Sequence, residues 1–166
     1  MTTGCTAGED RTIRAVADRF TYLWTQQDAL HISELFTPNG DIRHPDGSIE
    51  RGQDVILANR VQLFSQKAYA NSRYRVQLND VRCLRDTGVA IADGKWELRL
   101  ETTLQSRPGQ VVPATPVNSG WCTLTLLKSA GNSWAIEAWR YTMNPPPGAD
   151  QPVLLAKPGV AGRGGG

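Results

Sequence analysis

The chain has 166 residues, 40% of them hydrophobic and 20% charged, with a formal net charge of +2. One domain of this length buries about 70% of its unfolded surface, enough for a core without a disulfide or a metal, and the composition excludes a disordered or collagen-like chain. No apolar run approaches the roughly 18 residues of a membrane span, and so small a net charge gives no electrostatic basis for nucleic-acid binding.

The first residues, MTTGCTAGED, lack the apolar core of a signal peptide, so a cytoplasmic location is expected, with 1–8 as a flexible N-terminus. Asp10 reads as the N-cap of a long helix. Ile13, Val16, Ala17, Phe20, Leu23 and Trp24 follow at gaps of three and four and mark its buried face. Asp28 caps a shorter helix, DALHISELF, with Leu30, Leu35 and Phe36 as buried candidates, and TPNG stops it as a turn. His31 falls mid-helix among charged neighbours and is expected at the surface.

DIRHPDGSIERG reads as a short strand, a turn at Asp46-Gly47 and a return. Ile42 and His44 share a face of that strand, because side chains alternate, and Pro45 suits only an edge or an end. A third helix follows over 53–66, with Ile56, Arg60, Leu63 and Phe64 along one side. Four antiparallel strands come next. Tyr74, Val76 and Leu78 alternate in the first, and the second, 88–104, is long enough to bend at Ala92-Asp93-Gly94. Pro108-Gly109 sits in a polar connection. The last two strands are joined by Ala130-Gly131-Asn132. PPPG and GVAGRGGG make 145–166 a loop and flexible tail. There is no internal repeat.

Helices grouped before strands predict an α+β domain in which a curved sheet wraps around the helices. The open end of such a sheet suits a small apolar ligand. Cys5, Cys83 and Cys122 are odd in number and show no short pairing motif, so they read as buried or idle thiols rather than a disulfide framework or zinc site. No glycine-rich nucleotide loop and no nucleophilic-serine motif is present, so no cofactor and no metal are expected.

Asp28…Leu35-Phe36, Pro45-Asp46-Gly47 and Gly52…Ile56, in that order and followed by four strands, resemble the nuclear transport factor 2-like superfamily. The resemblance is nearest to its small SnoaL-like or SgcJ/EcaC-type proteins and spans the domain at 9–144. It implies a cone: a strongly curved, mixed but mostly antiparallel sheet around three N-terminal helices, with an interior pocket. It also implies a homodimer through the outer sheet face.

The superfamily includes ketosteroid isomerases, whose base is an Asp followed by Pro. Ungapped alignment places His44-Pro45 there, and an imidazole takes or returns a proton near neutral pH. Phe20 falls where those enzymes carry a donor Tyr. Cys122 or Thr123 falls near their second acid. Steroid isomerisation itself is therefore not expected. The resemblance implies a cofactor-independent enzyme acting by proton transfer (isomerisation, cyclisation, dehydration or hydration) on a polyketide-, terpenoid- or steroid-like molecule. His44 and Tyr141 would be catalytic, and Phe20, Trp24, Ile42, Trp121, Cys122, Thr123 and Trp139 would form the pocket. The other reading is a non-catalytic ligand-binding or dimerisation module of the same fold.

From the residues alone, His44 is either a hydrogen-bonded or exposed histidine at the mouth of a core, or a proton-transfer group. The aromatics are either core and dimer-face packing or the walls of a site for a flat ligand. Lys95, Glu97 and Arg99 share a face that is either solvated or paired across a dimer.

Overall fold

A computed structural model of the chain describes residues 4–100 and 118–144. Helix α1 spans Ala7–Thr25 and begins inside the stretch expected to be a flexible N-terminus. Thr6, not Asp10, is its N-cap. The Thr6 hydroxyl accepts from the Glu9 backbone N–H at 3.2 Å, and the Glu9 carboxylate accepts from the Thr6 N–H at 3.0 Å. This reciprocal capping box satisfies two otherwise orphaned donors. One residue earlier, Cys5 forms a disulfide with Cys83. That corrects the expectation of idle thiols for two of the three cysteines. The two are 78 residues apart in sequence, so no short motif announces the bond. Disulfides persist in oxidising compartments, which weighs against the cytoplasmic expectation.

Helix α2 (Ala29–Glu34) is capped by Asp28, which accepts from the His31 N–H, and His31 is exposed as expected. The helix ends earlier than expected. Phe36 opens strand β1 (Phe36–Arg43), and TPNG lies within that strand rather than in a free turn. The cause is non-local: β1 runs parallel to β6 (Trp134–Tyr141), with an irregularity between Phe36 and Asp41 that accommodates Pro38, which has no N–H to donate. At Gly40 the backbones come so close that a Cβ would sit 2.6 Å from the Ile136 carbonyl oxygen.

Strand β2 (Ile49–Arg51) returns against β1, and α3 (Gln53–Ser65) follows. Strands β3 (Arg73–Leu84), β4 (Val89–Arg99) and β5 (Asn118–Lys128) complete one six-stranded sheet in the order β2-β1-β6-β5-β4-β3. Only the β1–β6 pair is parallel. The expected bend in β4 falls at Gly94, opposite a register shift between Leu78 and Asp80 in β3. Any Cβ at Gly94 would lie 2.3 Å from the Gln77 carbonyl oxygen, so the bend requires glycine. Pro108-Gly109, the continuation of β4 beyond Leu100 and the 145–166 tail lie outside the described residues.

The concave face of the sheet packs on α1. Val76, Leu78, Ala90, Ala92, Leu124, Leu126 and Ile136 meet the helix residues predicted from their spacing. Complete burial of a side chain such as Ile13 or Leu124 contributes about 2 kcal/mol. The convex face carries Arg75, Lys95, Glu97 and Arg99. Asp41 pairs with Arg140 and Arg51, tying β6, β1 and β2 together. The molecule is thus an α+β domain with a curved, mostly antiparallel sheet around N-terminal helices. Among the described residues, no helix is long and apolar enough to cross a membrane, and no group of three His, Cys, Asp or Glu side chains could hold a metal.

Candidate active site

The site is a product of strand register. Ile42 on β1 pairs with Glu50 on β2 and with Trp139 on β6, so all three face the concave side together. Two residues further along the parallel pair, His44 and Tyr141 come side by side. The Asp46-Gly47 turn fixes His44 at the end of β1. Its N–H donates to the Ser48 carbonyl and its carbonyl accepts from Gly47, both at 2.9 Å, with Gly47 at φ +89°. Asp46 accepts from the Ser48 N–H and hydroxyl, which lowers its pKa. Helix α3 brings Arg60 in from above, one turn past the fully buried Ile56.

These four polar side chains form a continuous chain. His44 Nε2 lies 2.7 Å from Glu50 Oε1, and His44 Nδ1 is hydrogen-bonded to the Tyr141 hydroxyl. Arg60 Nη2 donates to Glu50 Oε2 at 3.2 Å. Glu50 and Arg60 are only 6% and 8% exposed. Burial opposes ionisation of Glu50, but the His44 hydrogen bond and the Arg60 charge outweigh it and hold the carboxyl below its ordinary value. An ionised carboxylate only accepts, so Nε2 carries the proton that bonds Glu50. In a neutral imidazole Nδ1 then accepts from the Tyr141 O–H. Burial, helped by the Glu50 charge and opposed by Arg60, pushes the Tyr141 hydroxyl up to about 12, so it remains a phenol at neutral pH.

This chain borders a pocket of about 430 Å³, within the size range of small-molecule sites. Phe20 and Trp24 of α1 form one wall. Tyr74, Trp96 and Trp139 form the sheet side. Phe20 stands 4.7 Å from Trp139 and 5.3 Å from Tyr74, and Trp96 meets Tyr141 edge-on at 5.3 Å. Burial pushes the Tyr74 hydroxyl well above its ordinary value. The carboxamides of Asn59, Gln62, Gln66 and Asn118 also line the pocket.

The structure therefore gathers Phe20, Trp24, Ile42, His44, Trp139 and Tyr141 around one cavity. It does not gather the three consecutive residues expected from β5. Adjacent residues of a strand face opposite ways. Cys122 points inward, and Trp121 and Thr123 therefore point outward. Trp121 is 53% exposed, with Lys95 Nζ 4.9 Å from its ring centroid. The Thr123 hydroxyl donates to Asp93 on the convex side. Cys122 is 3% exposed and packed in the core, outside the lining of the pocket; burial and the Asp93 charge push its thiol up to about 12. Sequence reasoning missed Glu50, Tyr74 and Trp96 as site residues, and placed Arg60 on a helix face without a role. A cation between Ile56 and Leu63 on an apolar face was the available signal.

No protein-family model matches the chain, and no curated protein matches its sequence. Solved structures do. An NTF2-like protein with a cystatin-like fold from Novosphingobium aromaticivorans superposes with a TM-score of 0.71 at 15% identity, covering 86% of this chain and 86% of that one. A domain of unknown function with a cystatin-like fold from Nostoc punctiforme gives 0.67 at 18% identity, covering 85% and 80%. A ketosteroid isomerase-like protein from Erwinia carotovora atroseptica gives 0.64 at 16% identity, covering 85% and 100%. At such identities the likeness is one of fold. The chain has the nuclear transport factor 2-like, cystatin-like fold that its sequence resembles, shared with ketosteroid isomerase-like proteins, and fold alone does not assign a reaction.

Proposed function

We propose that the protein is a small-molecule enzyme of the SnoaL-like type that moves a proton on a hydrophobic polyketide-, terpenoid- or steroid-like substrate, in an isomerisation, cyclisation, dehydration or hydration. The observation that carries this reading is the Glu50–His44–Tyr141 hydrogen-bond chain bordering an aromatic pocket. Glu50 fixes the imidazole tautomer and balances the charge that develops when Nδ1 takes a proton. When the imidazole is protonated, Nδ1 donates to the Tyr141 oxygen, which frees the Tyr141 hydroxyl to donate to a ligand oxygen. A proton leaving the ligand reaches Nδ1 through the Tyr141 oxygen as that hydroxyl passes its own proton to Nδ1, and the return follows the same path. Positioned acid/base groups of this kind accelerate a reaction by about 10²–10⁴-fold. Kinetics of His44→Ala and His44→Asn on any compound the protein turns over test the assignment. Unchanged turnover in both removes His44 from the mechanism.

A second reading, a ligand-binding or dimerisation module, draws on two residues. Phe20 offers no donor to the pocket, and Cys122 lies outside its lining, so Tyr141 has no partner at either position that resembles an oxyanion donor. Tryptophan fluorescence titration with apolar ligands, followed by product analysis, separates the readings, because a module binds without conversion. The homodimer belongs to either reading. It is supported by the exposed Trp121 on the convex face, grouped there with Arg75, Lys95 and Glu97.

A further inference from the structure

Arg60 is more than a counter-charge for Glu50. Its guanidinium has five N–H donors, yet both of its hydrogen bonds to Glu50, at 3.2 and 3.5 Å, leave from Nη2. Its Nη1 makes no hydrogen bond among the described residues, and Nε, also without a partner there, is itself closed to solvent in a side chain only 9% exposed. A buried donor without an acceptor is a standing cost. The residue also borders the pocket, with its guanidinium carbon 5.9 Å from the Trp24 ring centroid.

Charge decides what kind of group this arginine receives. Its positive charge is already balanced by Glu50, and the remaining polar lining is dominated by neutral carboxamides: Asn59, Gln62, Gln66 and Asn118. An anionic ligand would find no uncommitted cation among the described lining residues and would face the Glu50 carboxylate. An uncharged oxygen gains the guanidinium's remaining donor capacity without that repulsion. The second oxygen-reading point is Tyr141, at the other end of the Glu50–His44 link, whose hydroxyl turns from the imidazole Nδ1 to receive a ligand oxygen. Phe20, Trp96 and Trp139 line the same pocket.

We infer that the pocket takes an uncharged, fused-ring or aromatic compound bearing two oxygen functions, one received by Tyr141 and the other by Arg60, so that Arg60 sets specificity for the second oxygen. The inference rests on the pocket being a small-molecule site, as in the function proposed above.

Isothermal titration calorimetry with three probes tests it: 1-tetralone with one oxygen, 5-hydroxy-1-tetralone with two at opposite ends, and 2-naphthoate as the anion. The wild-type protein is expected to bind the two-oxygen probe roughly tenfold more tightly than 1-tetralone, and 2-naphthoate most weakly. In the double variant Arg60→Met/Glu50→Gln, which stays charge-neutral and whose fold is checked by its thermal transition, the two tetralones should bind within about twofold of each other. Equal binding of the tetralones by the wild type, undiminished discrimination in the double variant, or tightest binding of 2-naphthoate would overturn the assignment of Arg60 and leave the small-molecule site standing. Absence of binding by all three probes would overturn both.

Discussion

His44 and Tyr141 stand 97 residues apart in sequence and share one hydrogen bond, from the phenolic hydroxyl to the imidazole Nδ1. His44 directly follows β1 and Tyr141 ends the parallel, adjacent β6, so strand register and the Asp46-Gly47 turn together fix the pair. The other imidazole nitrogen is held by Glu50. A histidine restrained at both nitrogens has one orientation, which is the condition for directed proton transfer.

Tyr141→Phe removes the hydroxyl and keeps the ring that packs against Trp96. Turnover of any converted substrate is expected to fall by about 10²–10³-fold, with a much smaller change in KM. Steady-state kinetics measure the split. A loss confined to KM would make Tyr141 a binding residue only.

Glu50 ties stability to pH. Its folded pKa lies below the ordinary 4.5, so the unfolded chain binds the proton first as pH falls. The stabilisation is complete above that ordinary value and is lost as pH drops through the lower folded value. Glu50→Gln is expected to flatten this acid limb of a melting-temperature profile. Tyr141 acts at the other end. Its hydroxyl is raised from 10 to about 12, so the fold loses stability as pH rises across that interval, and Tyr141→Phe should lessen the loss. Profiles that overlay the wild type in both windows would contradict the linkage.

The Cys5–Cys83 bond clamps the start of α1 to β3. Reduction, or Cys5→Ser, should lower stability by about 2–4 kcal/mol. Thiol titration of the denatured chain should count one free thiol, Cys122, before reduction and three after. Three thiols in the protein as purified without reductant would count against the bond.

Trp121→Glu places a charge on the convex face and leaves the pocket untouched. If that face joins two copies, sedimentation equilibrium should show the variant shifted from dimer to monomer with ligand affinity unchanged. A wild type that sediments as a monomer would refute the dimer.

What was legible in the sequence was whatever repeats with a local period. Ile13 to Trp24 show their buried face by spacing alone, and Tyr74, Val76 and Leu78 do so by alternation. The end of β1 at Asp41–Arg43 was legible as a short strand, but its start was not, because Phe36 looks apolar in either a helix or a strand and only the distant β6 decides between them. Resemblance singled out His44, which lines the pocket. It did not help at Cys122 and Thr123, two neighbours that the pleat separates, and the aromatic reading of Trp121 met an outward-facing ring. Glu50 escaped for another reason: it reads as an ordinary surface charge, and the role of Arg60 on its apolar helix face is visible only once the two are seen paired.

The parallel seam between β1 and β6 also dictates when the protein becomes competent during synthesis. The histidine leaves the ribosome early, and its phenolic partner is among the last described residues to emerge. Domains are completed as the chain is delivered, so a nascent polypeptide halted before the final strand holds an incomplete dyad. Products of premature termination or of proteolysis upstream of that strand are therefore expected to be inert toward substrate, whatever fraction of the helices and sheet they have managed to form.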